Sequence, residues 1–277
     1  MEEEMKANWR QGNAELAALK VHYYRTGFGD KPPLVLAHGF SDNGLCWRRL
    51  AQDLQNHFDV IMLDARNHGQ SGSAPASQAS LVSDLVDVIT GLSLEQVILI
   101  GHSMGAGTVA EVAAQSPDLV SRIVLEDPPW RERTKVESDE GRKSRLQAYS
   151  SHVESQRVMS EAEVIETGRQ QHPTWHQDDL PDWAVAKQQV RAEALNGLSL
   201  SNWSETFSLL KGIRCPSLLI RADVNTDGII TPEIAKKVIE TNDSFLSVKV
   251  TGAGHNIRRE GYVEYLGMIK KFLDCEE

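Results

Sequence analysis

The chain predicts an α/β fold, a mostly parallel twisted sheet with helices on both faces and a helical insertion, and three observations predict it. First, short strand-like runs, most of them apolar, recur at residues 34–37, 60–63, 96–100, 122–125, 216–220 and 246–250, the pattern of strands in a covered sheet. Second, helical segments such as 81–92 separate these runs, as parallel pairing requires. Third, the pattern changes after Pro128-Pro129: residues 131–211 hold almost no strand-like run, are rich in Glu, Gln, Arg and Ala, and are broken at Pro173, Pro181 and Gly197. The expected organisation is a core formed by 1–130 and 212–277, with 131–211 as a helical cap. An amphipathic helix over 262–273 closes the chain.

The strand ends carry the chemistry, taken in chain order. The run 34–37 empties into His38-Gly39-Phe40-Ser41-Asp42, where Gly39 lets the backbone turn tightly. The run 60–63 empties into Asp64-Ala65-Arg66-Asn67-His68-Gly69-Gln70-Ser71, whose spacing of acid, arginine, glycine and serine reads as a hydrogen-bonded brace rather than as chemistry. After 96–100 comes Gly101-His102-Ser103-Met104-Gly105, then a helix rich in small residues. A chain that reverses this sharply strains the backbone at Ser103, and glycines two residues to either side leave the space a Cβ would fill. Ser103 is therefore the candidate nucleophile. The N–H of Met104, at the start of the helix, and the N–H of Phe40 are the candidate oxyanion donors.

A serine hydroxyl needs a base, and His255 is the candidate, in Gly252-Ala253-Gly254-His255 directly after the run 246–250. The orienting acid belongs between serine and histidine in the chain. Asp223, at the end of the strand 216–221, is the first choice, because the sheet holds the backbone there. Asp227, beside Gly228, is the second, and Glu126 or Asp127 after the strand 122–125 is the third. Trp130 follows that same strand and, with the ring of Phe40, is expected to line the substrate pocket. Four of the six tryptophans, Trp130, Trp175, Trp183 and Trp203, lie in or at the edge of the insertion, which suggests a pocket suited to largely apolar substrates or, more plainly, rings that hold a small cap together.

No metal or cofactor is expected. Asp223-Val224-Asn225-Thr226-Asp227-Gly228 opens like a calcium loop, but position 234 is Ile where a glutamate is needed and a strand precedes the loop. Pro173 breaks the helix that would align His172 with His176 as ligands.

Together, His38-Gly39-Phe40, the segment from Asp64 to Ser71, Gly101-His102-Ser103-Met104-Gly105 and Gly254-His255 resemble the α/β-hydrolase superfamily, over nearly the whole chain. The chain departs from the usual pattern at the acid loop, which is longer and has Ala222 where glycine is frequent. Ser103 stands where the dehalogenases and epoxide hydrolases of this fold carry aspartate. The resemblance therefore implies acyl chemistry, on a small ester or lactone, with carbon–carbon bond hydrolysis on the same triad or ligand sensing without turnover as alternatives.

Composition agrees. A chain of 277 residues with 40% hydrophobic content can bury a full α/β core. The formal charge of −10 disfavours nucleic acid and anionic membrane surfaces, so the expected partner is a small-molecule substrate. The acidic start Met1-Glu2-Glu3-Glu4 is unlike a secretory signal, and a cytoplasmic location is expected. Cys46, Cys215 and Cys275 are far apart and odd in number, which argues against a disulfide framework.

Overall fold

The computed structural model describes residues 9–17, 19–131, 138–197 and 203–275. The acidic start of the chain and the side chain of Trp203 lie outside what is described. Eight strands form one sheet: β1 (Arg10–Glu15), β2 (Lys20–Arg25), β3 (Pro33–Ala37), β4 (Asp59–Leu63), β5 (Val97–His102), β6 (Val120–Glu126), β7 (Ser217–Arg221) and β8 (Phe245–Lys249). Their order across the sheet is β1-β2-β4-β3-β5-β6-β7-β8. β1 and β2 are antiparallel to their neighbours and every later pair is parallel. The helices are α1 (Arg48–Leu54), α2 (Gln78–Gly91), α3 (Met104–Gln115), α4 (Asp139–Arg157), α5 (Glu161–Gln171), α6 (Asp179–Gln189), α7 (Trp203–Leu210), α8 (Pro232–Thr241), α9 (Ile257–Glu260) and α10 (Tyr262–Phe272).

The apolar runs are strands because both faces of the sheet are covered. Alternate side chains of one strand enter two different cores. Val35, Ile61, Leu99, Ile123 and Leu219 pack against α2, α3, α7 and α8 on one face. Leu34, Val60, Ile100, Val124 and Leu218 pack against α1 and α10 on the other. The central strands β3 to β7 have no wet face, and their sequences show no polar alternation.

Local signals set the helix boundaries. Ser77 and Ser80 form a capping box at the start of α2, as do Ser160 and Glu163 at the start of α5. Between β6 and β7 every described element is a helix, and α6 with the residues just after it is tied to the core at several points. Arg48 donates to Asp182, Asn43 donates to Gln189 at 2.9 Å, and the backbone N–H of Arg191 donates to the Asn67 carbonyl at 2.9 Å.

Candidate active site

Ser103 sits between β5 and α3 with φ 49° and ψ −114°, a backbone region costly for any residue with a Cβ. The flanking glycines make the bend possible. A Cβ on Gly101 would lie 2.5 Å from the Gly105 carbonyl carbon, and one on Gly105 would lie 2.2 Å from the Ala37 carbonyl oxygen. Helix α3 therefore crosses directly over β3 and β5, and its first N–H groups, including that of Met104, face the turn. Gly39 brings the loop after β3 close to the same point, since a Cβ there would be 3.4 Å from Ser103 Cβ.

His255 is held from three sides. Its ring Nδ1 lies 2.7 Å from Asp127 Oδ2, its backbone N–H donates to Asp227, and its carbonyl oxygen accepts from His102 Nε2 at 3.0 Å. The structure thus replaces Asp223 with Asp127 as the carboxylate at the imidazole. Asp127 is fully buried, its Oδ2 also accepts from the Ile229 N–H at 2.9 Å and its Oδ1 from the Ile230 N–H at 3.1 Å. The physical reason is proximity. β6 is the immediate neighbour of β5, with Glu126 opposite His102, whereas β7 lies one strand further out. A φ of +40° at Asp127, just before Pro128, ends β6 sharply at the elbow.

The two other acids have different partners. Asp223 accepts from Asn225, from the Gly252 N–H and from Lys249, and the Asn225 and Gly252 amides hold its carboxyl down at about 2. It pins the turn after β8 and does not bond the His255 ring. Asp227 holds the His255 backbone, in a space so tight that a Cβ on Gly254 would come within 2.1 Å of its Oδ1.

A cavity of about 560 Å³ opens beside the serine, with Ser103, His255 and His102 at its base. Phe40 lines it, flanked by the ring of Tyr149 at 6.1 Å. Trp130 does not line it. A turn in which the Trp130 N–H bonds the Pro128 carbonyl at 2.7 Å sends the ring into the core under α2 and α3, 2% exposed, and Pro129 occupies the wall instead. Trp175 and Trp183 reach the cavity from the insertion, with His172 stacked on Trp175 at 3.9 Å. The expected largely apolar wall also carries Asp42, Lys187 and Arg259.

Sequence reasoning assigned no role to the buried charges that join these loops. Asp42, three residues beyond Gly39, accepts from Arg258 at 2.7 Å and from Arg259 at 3.1 Å and 3.2 Å. Arg258 also donates to Glu126 through its backbone at 3.1 Å and its guanidinium at 3.3 Å. Burial alone would raise the Asp42 carboxyl, but Arg259, Lys187 and Arg258 hold it well below the usual range. The signal available in the sequence was the adjacent pair Arg258-Arg259 directly after the histidine.

The segment from Asp64 to Ser71 is a brace. Asp64 accepts from the N–H groups of Gly44 at 2.7 Å and Gln70 at 2.8 Å, and Arg66 grips Asp84 with two contacts of 2.6 Å. His68 accepts from the Ser41 N–H at 3.3 Å, and His38 accepts from the Ala65 N–H at 2.9 Å. Burial lowers these imidazoles to about 3 and about 4, so both are neutral props at physiological pH.

A doubly covered parallel sheet with a strained serine at the turn after a central strand is the architecture of a hydrolytic enzyme. The chain belongs to the alpha/beta hydrolase fold family, whose model matches residues 32–257. It is 27% identical over 275 residues to an N-formylmaleamate deformylase of Pseudomonas putida, covering 95% of this chain and 96% of that protein. Several other relatives match over a shorter region, and the chain spans about a third of their length, as with epoxide hydrolase 3 of Mus musculus, 32% identical over 117 residues, 41% of this chain and 32% of that protein. Among solved structures, an E-2-(acetamidomethylene)succinate hydrolase superposes with a TM-score of 0.73 at 19% identity, covering 96% of this chain and all of that one. A Bacillus subtilis carboxylesterase superposes at 0.74 and 18% identity, covering 97% and 92%.

Proposed function

We propose that this enzyme is a serine hydrolase that cleaves a small carboxylic ester or lactone through an acyl-enzyme on Ser103. His255 is its base, Asp127 the acid that orients the base, and the N–H groups of Phe40 and Met104 the oxyanion donors. The observation that carries the reading is the 2.7 Å pairing of Asp127 with His255 Nδ1, on a histidine that shares one cavity with Ser103. A neutral imidazole that donates Nδ1–H to a carboxylate keeps its lone pair on Nε2, the nitrogen a base needs. The full-length likeness to a protein named as a deformylase extends the leaving group from an alcohol to an amide nitrogen. Residues 131–211 serve as the cap over 1–130 and 212–277.

In the first step Ser103 Oγ bonds to the carbonyl carbon while its proton passes to His255 Nε2, and the carbonyl electron pair becomes an oxyanion. Two backbone donors aimed at that oxygen each contribute about 3 kcal/mol in such a site. The carbonyl re-forms, the bond to the leaving group breaks, and the leaving group takes the proton from His255. Water then repeats the sequence, with His255 accepting its proton, and releases the acid and Ser103.

A fluorophosphonate probe tests the reading. Ser103 is expected to label within minutes, Ser103→Ala not at all, and His255→Ala at least 100-fold more slowly. Wild-type protein that binds p-nitrophenyl esters or lactones yet neither labels nor turns over would replace the hydrolase with a sensor that binds without reacting.

A further inference from the structure

Two cations on the wall of the cavity, Lys187 and Arg259, point to the substrate. On the wall formed by α6, α9 and the loop after β3, Lys187, Arg258 and Arg259 lie among the acids Asp42 and Glu126, with Asp179 on α6 also near the two arginines. Asp227 and Arg131, both exposed, also line the cavity and offset one another.

One cation on that wall, Lys187, meets only neutral acceptors, and a second, Arg259, stands beside it. Lys187 Nζ, half-buried, donates to the Ser41 hydroxyl at 2.6 Å and to the Ser41 carbonyl at 3.2 Å, both neutral, and has no ion pair among the described residues. Its nearest acid, Asp42, has both oxygens occupied by the two arginines. Arg259 is 4% exposed, lines the cavity, and its Nε has no hydrogen-bond partner among the described residues. A buried donor without a partner costs about 1–3 kcal/mol, more when charged.

We infer that Lys187 and Arg259 form a subsite for a carboxylate carried by the substrate, at the end remote from the bond that Ser103 attacks. The inference rests on the hydrolase reading for the reacting end and deepens it by naming the substrate class, a small acyl compound bearing a free acid. Trp175 and Trp183, with Arg259 stacked 4.7 Å from the Trp175 ring and Lys187 5.2 Å from that of Trp183, flank the two cations with apolar surface for a short carbon chain.

The test compares p-nitrophenyl hydrogen adipate with p-nitrophenyl methyl adipate, which differ by one methyl cap on the far acid. The wild type is expected to prefer the free acid by about 10–100-fold in kcat/KM, the size of a charge-assisted hydrogen bond. In Lys187→Gln that ratio falls to near one, through KM, and Lys187→Arg restores most of it. A purely structural role for Lys187, through Ser41, lowers both substrates together and leaves the ratio intact. A wild-type ratio near one, or a ratio unchanged in Lys187→Gln, overturns the inference. A second arm needs no turnover: calorimetry on Ser103→Ala with linear dicarboxylates of four to eight carbons. Binding at one chain length that weakens at least 10-fold in Ser103→Ala/Lys187→Gln supports the subsite even if no ester is cleaved, and no binding at any length removes it even if neutral esters are good substrates.

Discussion

Asp127, the third choice from the sequence together with Glu126, is the acid that bonds the His255 ring. Two carboxylates downstream of Ser103, Asp223 and Asp227, stand at a strand end and in a turn where an acid is expected, and both are engaged near His255 without bonding its ring. What singles out Asp127 is invisible in one dimension: complete burial, two backbone N–H donors and adjacency of β6 to β5. Asp127→Asn is expected to lower kcat about 10²–10⁴-fold by favouring the wrong imidazole tautomer, while Asp223→Asn stays within a few fold, since it loses only turn contacts. Steady-state kinetics on both folded variants check the ranking, and a reversed order would return the acid to Asp223. Lys187 gives a second residue-scale expectation. It is faced by Asp42 from the loop after β3, by Cys46, by His172 on the insertion and by Arg258 and Arg259 on α9. Burial lowers it to about 8. Its charge is thus present below pH 8 and lost above, so kcat/KM for the free-acid adipate ester falls as pH rises through about 8, while the methyl-capped ester lacks that limb. Parallel pH profiles for the two substrates would remove Lys187 from recognition.

The strand–turn–helix of the elbow was the most legible element, because its rules are steric and local. A glycine is needed wherever a second backbone runs within contact distance, and the sequence displays glycine at those places. Gly105→Ala makes the dependence measurable: its new Cβ would meet two backbone carbonyls, Ala37 at 2.2 Å and His38 at 2.7 Å, neither free to swing away. Overpacking of this kind costs about 3 kcal/mol, or about 6–12 °C in melting temperature for a domain of this size. It should also slow fluorophosphonate labelling, as α3 and its first N–H groups are pushed off β3. A thermal melt within 2 °C of wild type would show that α3 does not press on β3 as described. The turn after β6 was less legible. Pro128-Pro129 announces a bend, but the direction of the bend, which buries Trp130 and exposes Pro129 to the cavity, is set by the packing of α2 and α3.

Across the whole molecule, the alternating apolar runs were readable because each strand needs two apolar faces wherever the chain folds back. Long-range charge pairing was not, since nothing local marks Asp42 as the partner of Arg258, 216 residues away. That pairing joins three separate parts of the site: the loop after β3, the end of β6 through Glu126, and the helix following His255. Removing the shared anion therefore tests the assembly and not one contact. Asp42→Ala leaves the buried Arg259 guanidinium without its carboxylate partner and Arg258 with Glu126 alone, a change that typically costs about 3–5 kcal/mol, or about 6–20 °C in melting temperature. The pH dependence has a definite sign. Because the folded state holds the Asp42 carboxyl well below its unfolded value, its contribution is complete at pH values above the unfolded carboxylate range and is lost as pH falls through the folded pKa. The gap in stability between wild type and Asp42→Ala, read from urea melts, should therefore be widest near neutrality and narrow under acid. A constant gap from neutral to strongly acidic pH would show that Asp42 acts by packing, and that the three loops are held in register by something other than its charge.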